Sequence, residues 1–274
     1  MKIKTRIILA AVAAILLSFI LFACNTKLRT VFYSMKTDKI KTPVRVALIT
    51  DLHSGKYGDG QAALIAAVDA QKPNVILFGG DIIDDVRPRE NAMILINAMT
   101  KKYPCYYVSG NHEYWTSGIP KIKSELRDAG VIVLEGDCKT LKIDTQYINI
   151  CGVDDPTYIG KYATVEQIKT VDAAADNKLF TILLSHRPEL FDEYAKCDFD
   201  LVLSGHAHGG QWRIPGILNG LYAPGQGLFP KHAGGQYAMG DNLMIVSRGL
   251  ARGGNVIPRI FNRPELVIID LMQK

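Results

Sequence analysis

Five of the six histidines in this 274-residue chain fall in short stretches beside aspartate, asparagine or glycine. In order these are Asp51-Leu52-His53, Gly110-Asn111-His112-Glu113, Ser185-His186 and Gly205-His206-Ala207-His208, with Gly80-Asp81 between the first two. Histidines scattered through a core would not keep this company at the ends of apolar runs. Only His232 stands apart, and it reads as structural. Carboxylate and imidazole donors together suit first-row divalent ions such as Mn²⁺, Fe²⁺ or Zn²⁺, and an asparagine amide oxygen is a tolerable weak ligand. No cysteine joins the set, which excludes a structural thiolate zinc site.

Such a set works only if the chain brings it together. Each stretch follows a strand candidate: Val44–Ile49, Val75–Phe78, Cys105–Val108, Phe180–Leu184 and Leu201–Leu203. Helical periodicity lies between them, over 61–71, 89–100, 119–129 and 165–175, and a further strand is expected at Val131–Leu134. This alternation predicts an α/β fold with helices packed on the sheet faces. The second half adds a hairpin from Leu141–Ile143 and Tyr147–Cys151, then strands at Leu243–Ser247 and Leu266–Leu271. Mixed strands in two halves suggest two packed mixed β-sheets flanked by helices. Ligands collect at the carboxyl edge of such sheets, because loops there can be shaped without disturbing the core.

Taken in order, DxH, GDxxD, GNHE, an isolated His and GHxH resemble the calcineurin-like metallophosphoesterase superfamily, over about residues 44–274. The extended Gly205–Gln211 stretch, Val246–Leu250 and Asn262–Glu265 are similar to its bacterial membrane-associated branch, which includes phosphodiesterases and some UDP-diacylglucosamine hydrolases. Ala207 stands where that branch often has Thr, a position that is not a ligand. The resemblance implies a four-layer sandwich and two divalent metal ions per chain, with Mn favoured over Fe or Zn. One ion would be held by Asp51, His53 and His208 and the other by Asn111, His186 and His206, with Asp81 bridging. It implies cleavage of a phosphodiester or pyrophosphate bond by a hydroxide shared between the metals, with His112 as catalytic acid. A phosphomonoesterase and a silent metal-binding scaffold are the alternatives. Glu113 would orient a neighbouring imidazole and Asp84 would play a similar supporting part. Asp85, Asp154 and Asp155 read as solvated loop carboxylates. Arg187, Lys231, Arg248 and Arg252 are candidates to meet phosphate. Leu218, Leu221, Leu228 and Phe229 lie in a Gly/Pro/aromatic segment that could accept an acyl chain, so the substrate could be lipid-linked.

The net charge of +5 hints at nucleic acid until it is located. Residues 1–43 carry eight Lys or Arg and one acid, leaving 24 basic and 26 acidic residues in the rest of the chain. The basic character therefore suits anionic lipid headgroups, and no nucleic-acid partner is expected. Lys2, Lys4 and Arg6 precede an apolar stretch from Ile7 to Ala23 broken only by Ser18. At helical rise it spans about 25 Å, the short end of a membrane helix. Residues 1–24 thus read as a membrane anchor, a lipoprotein signal ending at Cys24, or a cleaved signal. Residues 25–43 follow as a basic linker and 44–274 as the catalytic domain. The basic N-terminus favours an extracytoplasmic catalytic domain, whereas the lysines after the helix pull the other way. Cys105, Cys138, Cys151 and Cys197 lack metal-ligand spacing and read as buried thiols.

Overall fold

Successive residues of a strand point to opposite faces, so a strand buried on both sides must be apolar throughout. Val46 and Leu48 pack on one side of their strand, Ala47 and Ile49 on the other, and all four are buried. The computed structural model describes residues 2–116, 118–252 and 258–274. An N-terminal helix α1 (Lys2–Ala23) leads into β1 (Arg29–Thr37), β2 (Val44–Ile49), α2 (Ala62–Asp69), β3 (Val75–Gly79) and α3 (Glu90–Thr100). Then come β4 (Cys105–Val108), α4 (Asn111–Trp115), α5 (Ile119–Asp128), β5 (Ile132–Val133), β6 (Asp137–Ile143) and β7 (Gln146–Gly152). Helices α6 (Pro156–Ile159) and α7 (Lys161–Ala174), strand β8 (Phe180–Leu184), helix α8 (Phe191–Tyr194) and strand β9 (Leu201–Ser204) follow. The chain closes with β10 (Tyr222–Ala223), β11 (Gly227–Leu228), β12 (Gly235–Met239), β13 (Asn242–Val246) and β14 (Glu265–Gln273).

Two six-stranded mixed sheets result, ordered β1-β14-β2-β3-β4-β5 and β12-β13-β9-β8-β7-β6. Strands β2 to β5 run parallel, as do β7, β8, β9 and β13. Between the sheets, Leu48, Leu77 and Val108 meet Ile150, Ile182 and Leu203. Leu64 and Val68 of α2, Leu95 and Met99 of α3 and Leu126 of α5 cover the outer face of the first sheet. Ile168 and Val171 of α7, with Tyr194 of α8, cover that of the second. The fold is therefore α/β: two mixed sheets flanked by helices in four layers.

Two details differ from the sequence reading, and one adds to it. The segment read as a linker holds β1, which pairs in parallel register with β14 from Arg29↔Glu265 to Thr37↔Gln273. Val31, Tyr33 and Met35 alternate with more exposed neighbours, and Tyr33 and Met35 pack on the inter-sheet core, which is why the segment joins the sheet. The final strand joins the first sheet between β1 and β2, an order that the sequence left open. Cys138 and Cys151 are a disulfide, because β6 begins earlier than its apolar pattern and sets the two residues opposite each other. Cys105 is the buried thiol expected, Cys197 is half-buried and Cys24 is exposed.

Helix α1 stands largely free of the body. Its stretch Arg6–Ala23 has a mean hydropathy of 2.6 and is long and apolar enough to cross a membrane. Among the described residues its C-terminal end meets the fold, where Ala23 is buried.

Candidate metal centre

The parallel strands β2, β3 and β4 end side by side, and each hands over to a turn that carries expected ligands. Asp51 and His53 follow β2, Asp81 follows β3, and Asn111 opens α4 just after β4. The second sheet contributes His186 after β8, with His206 and His208 after β9. The two edges are tied across the gap. The His206 amide donates to Asp51 Oδ1 at 3.0 Å, and His186 Nδ1 lies 2.8 Å from the Gly79 carbonyl.

The turns are tight. Asp51, His53, Asp81, His206 and His208 all have φ between 47° and 63°, a left-handed backbone that non-glycine residues rarely adopt. Gly80 shares this conformation at φ 87°, and a Cβ there would come within 2.6 Å of His186 Nδ1. A Cβ at Gly205 would likewise stand 2.6 Å from Asp51 Oδ2. The glycines flanking these residues are therefore required by close approach.

Oxygen and nitrogen atoms of Asp51, His53, Asp81 and His208 lie within 4.8 Å of one another, and so do those of Asp81, His186 and His206. Asp81 belongs to both groups. Asp51 Oδ2, His53 Nε2, Asp81 Oδ2, Asn111 Oδ1, His186 Nε2 and His206 Nδ1 are buried with no hydrogen-bond partner. Leaving such an atom without a partner costs about 1–3 kcal/mol, so the cluster around Asp81 calls for an occupant, although His186 Nε2 and Asp81 Oδ2 face each other at 3.2 Å. Carboxylate oxygen, imidazole nitrogen and amide oxygen are the donors that divalent first-row ions take. The donor set fits a pair of such ions.

The electrostatics agree. Burial pushes His53 and His208 down to about 3, the latter helped by the charge of Arg259, so both imidazoles are neutral. Burial opposes the charge on Asp81, but the imidazoles around it, His186 first, hold its carboxyl well below the usual range. Burial also opposes protonation of His186, yet Asp81 Oδ2, 3.2 Å from Nε2, carries it up to about 10. The Gly79 carbonyl takes the Nδ1 proton and leaves Nε2 facing Asp81. Arg187 Nη1 lies 2.7 Å from His206 Nε2. A guanidinium can only donate, so in this arrangement Nε2 accepts and the proton sits on Nδ1.

His112 stands at the rim with its side chain 25 % exposed. Its Nδ1 donates to Asp85 at 2.7 Å, with Asp84 further off at 3.6 Å. His53 and Trp115 pack edge-on against its ring.

Several supporting residues differ from expectation. Among the described residues no hydrogen bond joins Glu113 to an imidazole. Its carboxylate accepts from the backbone amides of Asp81, Ile82, Ile83 and Gly110 at 2.7 to 3.0 Å, and so shapes the turn that presents Asp81. Asp85 holds His112 and is no mere loop carboxylate. Asp154 and Asp155 are buried, the first against Lys123 Nζ at 2.5 Å and the second gripping Arg187 at 2.5 and 2.9 Å. Of the four candidate cations, the structure brings Arg187 to the expected ligands. Arg248 stands 3.6 Å from Glu265, Arg252 lies over the Tyr57 ring and Lys231 is exposed. His232 stacks on Phe191 and fits the structural reading. The fully buried Arg259, whose charge reaches Asp51 and His208, was not singled out in the sequence, and no motif there marks it.

Residues 44–210 match the calcineurin-like phosphoesterase family, and the chain belongs to it. An uncharacterized metallophosphoesterase of Campylobacter jejuni is 29 % identical over 86 % of this chain, which spans 61 % of that relative's length. The phosphodiesterase YaeI of Escherichia coli is 26 % identical, covering 84 % of this chain and 83 % of its own. Among solved structures, TT1561 of Thermus thermophilus superposes with a TM-score of 0.51 at 9 % identity, covering 77 % of this chain and 92 % of that one, a likeness of fold.

Proposed function

We propose that this protein is a membrane-anchored, dinuclear-metal phosphohydrolase acting on a phosphodiester or pyrophosphate. The observation that carries the reading is two neighbouring groups of donor atoms that share Asp81, with Asp51, His53 and His208 in one and His186 and His206 in the other, several of them buried with no hydrogen-bond partner. Asp51, His53 and His208 would hold one ion and Asn111, His186 and His206 the other, with Asp81 serving both. Manganese is the favoured metal. Bound there, two divalent ions would supply Lewis acidity toward the phosphoryl group and acidify a water enough to attack at neutral pH.

The chain's own residues do the rest. His112, steadied by the Asp85 carboxylate, donates a proton to the departing oxygen. Glu113 keeps the Asp81 turn in place through four amide bonds. Arg187, held by Asp155 with Nη1 beside His206, would be placed to meet a phosphoryl oxygen. The name of the Escherichia coli relative supports a diester, and the same kind of centre serves monoesters, which remain the second reading. Helix α1 supports attachment to a membrane and hence a lipid-linked substrate. The Cys138–Cys151 disulfide supports an oxidising compartment outside the cytoplasm.

The test is hydrolysis of bis(p-nitrophenyl) phosphate and of p-nitrophenyl phosphate by the chain from Lys27 onward, stripped of metal and titrated with Mn²⁺. Metal-dependent turnover, higher on the diester, is expected. His112→Ala should cost about 10²- to 10⁴-fold with metal still bound. Asp81→Asn should lose both metal and turnover. A chain that takes up no divalent ion sinks the reading, and activity confined to the monoester moves it to the second.

A further inference from the structure

The far end of α1 is clamped to the body. The Phe261 amide donates to the Ala23 carbonyl at 2.7 Å, and the rings of Phe19 and Phe22 pack edge-on against Phe261, with centroids 5.6 and 6.0 Å away. Phe261 is also a wall of a cleft of about 520 Å³, lined by Arg29, Arg213, Arg248 and the 214–219 loop. Among the described residues no carboxylate lines it. Glu265 lies beneath, buried, 2.7 Å from Arg29 Nη2 and 3.6 Å from Arg248 Nε. Arg29 and Arg248 thus share one carboxylate with Arg213 beside them in the cleft, and Nε of both Arg29 and Arg248 is buried without a hydrogen-bond partner. Arg213 is fixed in place by the Gly209 carbonyl at 3.1 Å and by Asn219. Burial first, and then the charges of Arg248 and Arg29, pull its pKa down to about 10. Cations crowded in this way are stabilised by an anion.

The rim has a second character. Ile214 and Ile217 are 48 % and 84 % exposed beside the arginines, and Trp212 is 40 % exposed at the base of the loop. A little further on, Leu228 and Phe229 are about two-thirds exposed. Apolar side chains displayed together around a charged cleft mark a contact surface. Here the surface adjoins the end of an apolar helix that presents its side chains outward.

We propose that this cleft binds the anionic headgroup of a phospholipid from the leaflet nearest the body. Arg29, Arg213 and Arg248 engage its phosphate oxygens, while Ile214 and Ile217 reach toward its acyl chains. Guanidinium forks match phosphate oxygens in pairs, and the excess of positive charge selects a lipid with net negative charge. The inference rests on the reading of α1 as a membrane helix and is independent of hydrolytic activity.

The test uses the full-length protein in a neutral detergent, with a chelator present so that no metal centre contributes. It is titrated with dioctanoyl phosphatidylglycerol, dioctanoyl phosphatidylcholine or inorganic phosphate, and bound species are counted by native mass spectrometry. Phosphatidylglycerol is expected to bind at least about tenfold more tightly than phosphatidylcholine, a difference worth about 1.4 kcal/mol. Arg213→Gln and Arg248→Gln should each remove most of that preference. Ile217→Ser, a change at an exposed side chain that leaves the fold intact, should weaken the lipid and leave phosphate unaffected. Equal binding of the two lipids, unchanged binding in the arginine variants, or phosphate binding as tight as phosphatidylglycerol would each overturn the proposal. Carbonate washing of membranes carrying the full chain reports on α1 separately. Release of the chain into the wash would remove the lipid source and the proposal with it.

Discussion

Asp51, His53, Asp81, His206 and His208 hold backbone angles that cost energy, and Glu113 helps to keep one of them there. Its two oxygens accept four amide protons, and an amide in place of the carboxylate would turn one acceptor into a donor facing donors. Glu113→Gln is therefore expected to lower stability by about 1–3 kcal/mol and to weaken metal uptake by about 10- to 100-fold. Urea unfolding and a metal titration read the two effects, and an unchanged titration would remove the positioning role. Protons supply a second prediction. Metal-free His186 is charged up to about 10, so an ion arriving at Nε2 must displace that proton, whereas His53 and His208, pushed down to about 3, have none to give at neutral pH. Binding near pH 7.5 should release about one proton per chain, and uptake should weaken as pH falls. Calorimetry in two buffers of different ionisation enthalpy measures it, and zero release would contradict the His186–Asp81 ion pair. The same shift fixes a sign for the metal-free protein: the stability His186 contributes is present below pH 6.5 and lost as pH rises toward 10. At this scale the gathering of these residues at one place was legible because their types are rare and keep to strand ends. The roles of Glu113, Asp85 and Arg187 were not, since each depends on a partner that is distant in sequence or approached from an unforeseen direction.

Strand ends decide what the elements could reveal. Strands β2, β4 and β8 lie where their apolar runs place them, because both faces are buried and, Arg45 and Thr181 apart, every residue signals the core. Strand β6 has only partly buried or exposed residues before Ile143, so the sequence reading started it at Leu141 and missed Cys138 opposite Cys151. Strand β1 was hidden for the same reason. It is an edge strand with Arg29 and Lys36 among its alternating residues, close behind a helix that draws attention to charge. Its nine-residue pairing makes it part of the domain, and removing it would bare the edge of β14. A chain starting at Lys27 should unfold cooperatively and remain monomeric, whereas one starting at Val44 should unfold at lower urea and aggregate. Size-exclusion chromatography beside the unfolding curves distinguishes them, and equal stability of the two chains would make β1 dispensable.

For the molecule as a whole, two features pull its orientation in opposite directions. Five basic residues between the helix and Pro43 outnumber the three that precede its apolar stretch, which by charge alone favours a cytoplasmic body. The Cys138–Cys151 disulfide belongs to an oxidising compartment, and a cytosolic body would keep the pair reduced. The charges after the helix are also used by the fold: Arg29 pairs with Glu265 and Lys39 with Asp200, so selection for structure accounts for basic residues that would otherwise read as a cytoplasmic signal. Chemistry specific to one compartment therefore outweighs a count of charges that have a second explanation, and the body should lie outside. Alkaline phosphatase, which folds only in an oxidising space, should be active when fused after Lys274, while a green fluorescent protein at the same point should stay dark. In the same cells Cys138 and Cys151 should resist alkylation until reductant is added. The opposite reporter pattern with freely alkylated cysteines would place the body in the cytoplasm and leave the cationic cleft facing the anionic inner leaflet.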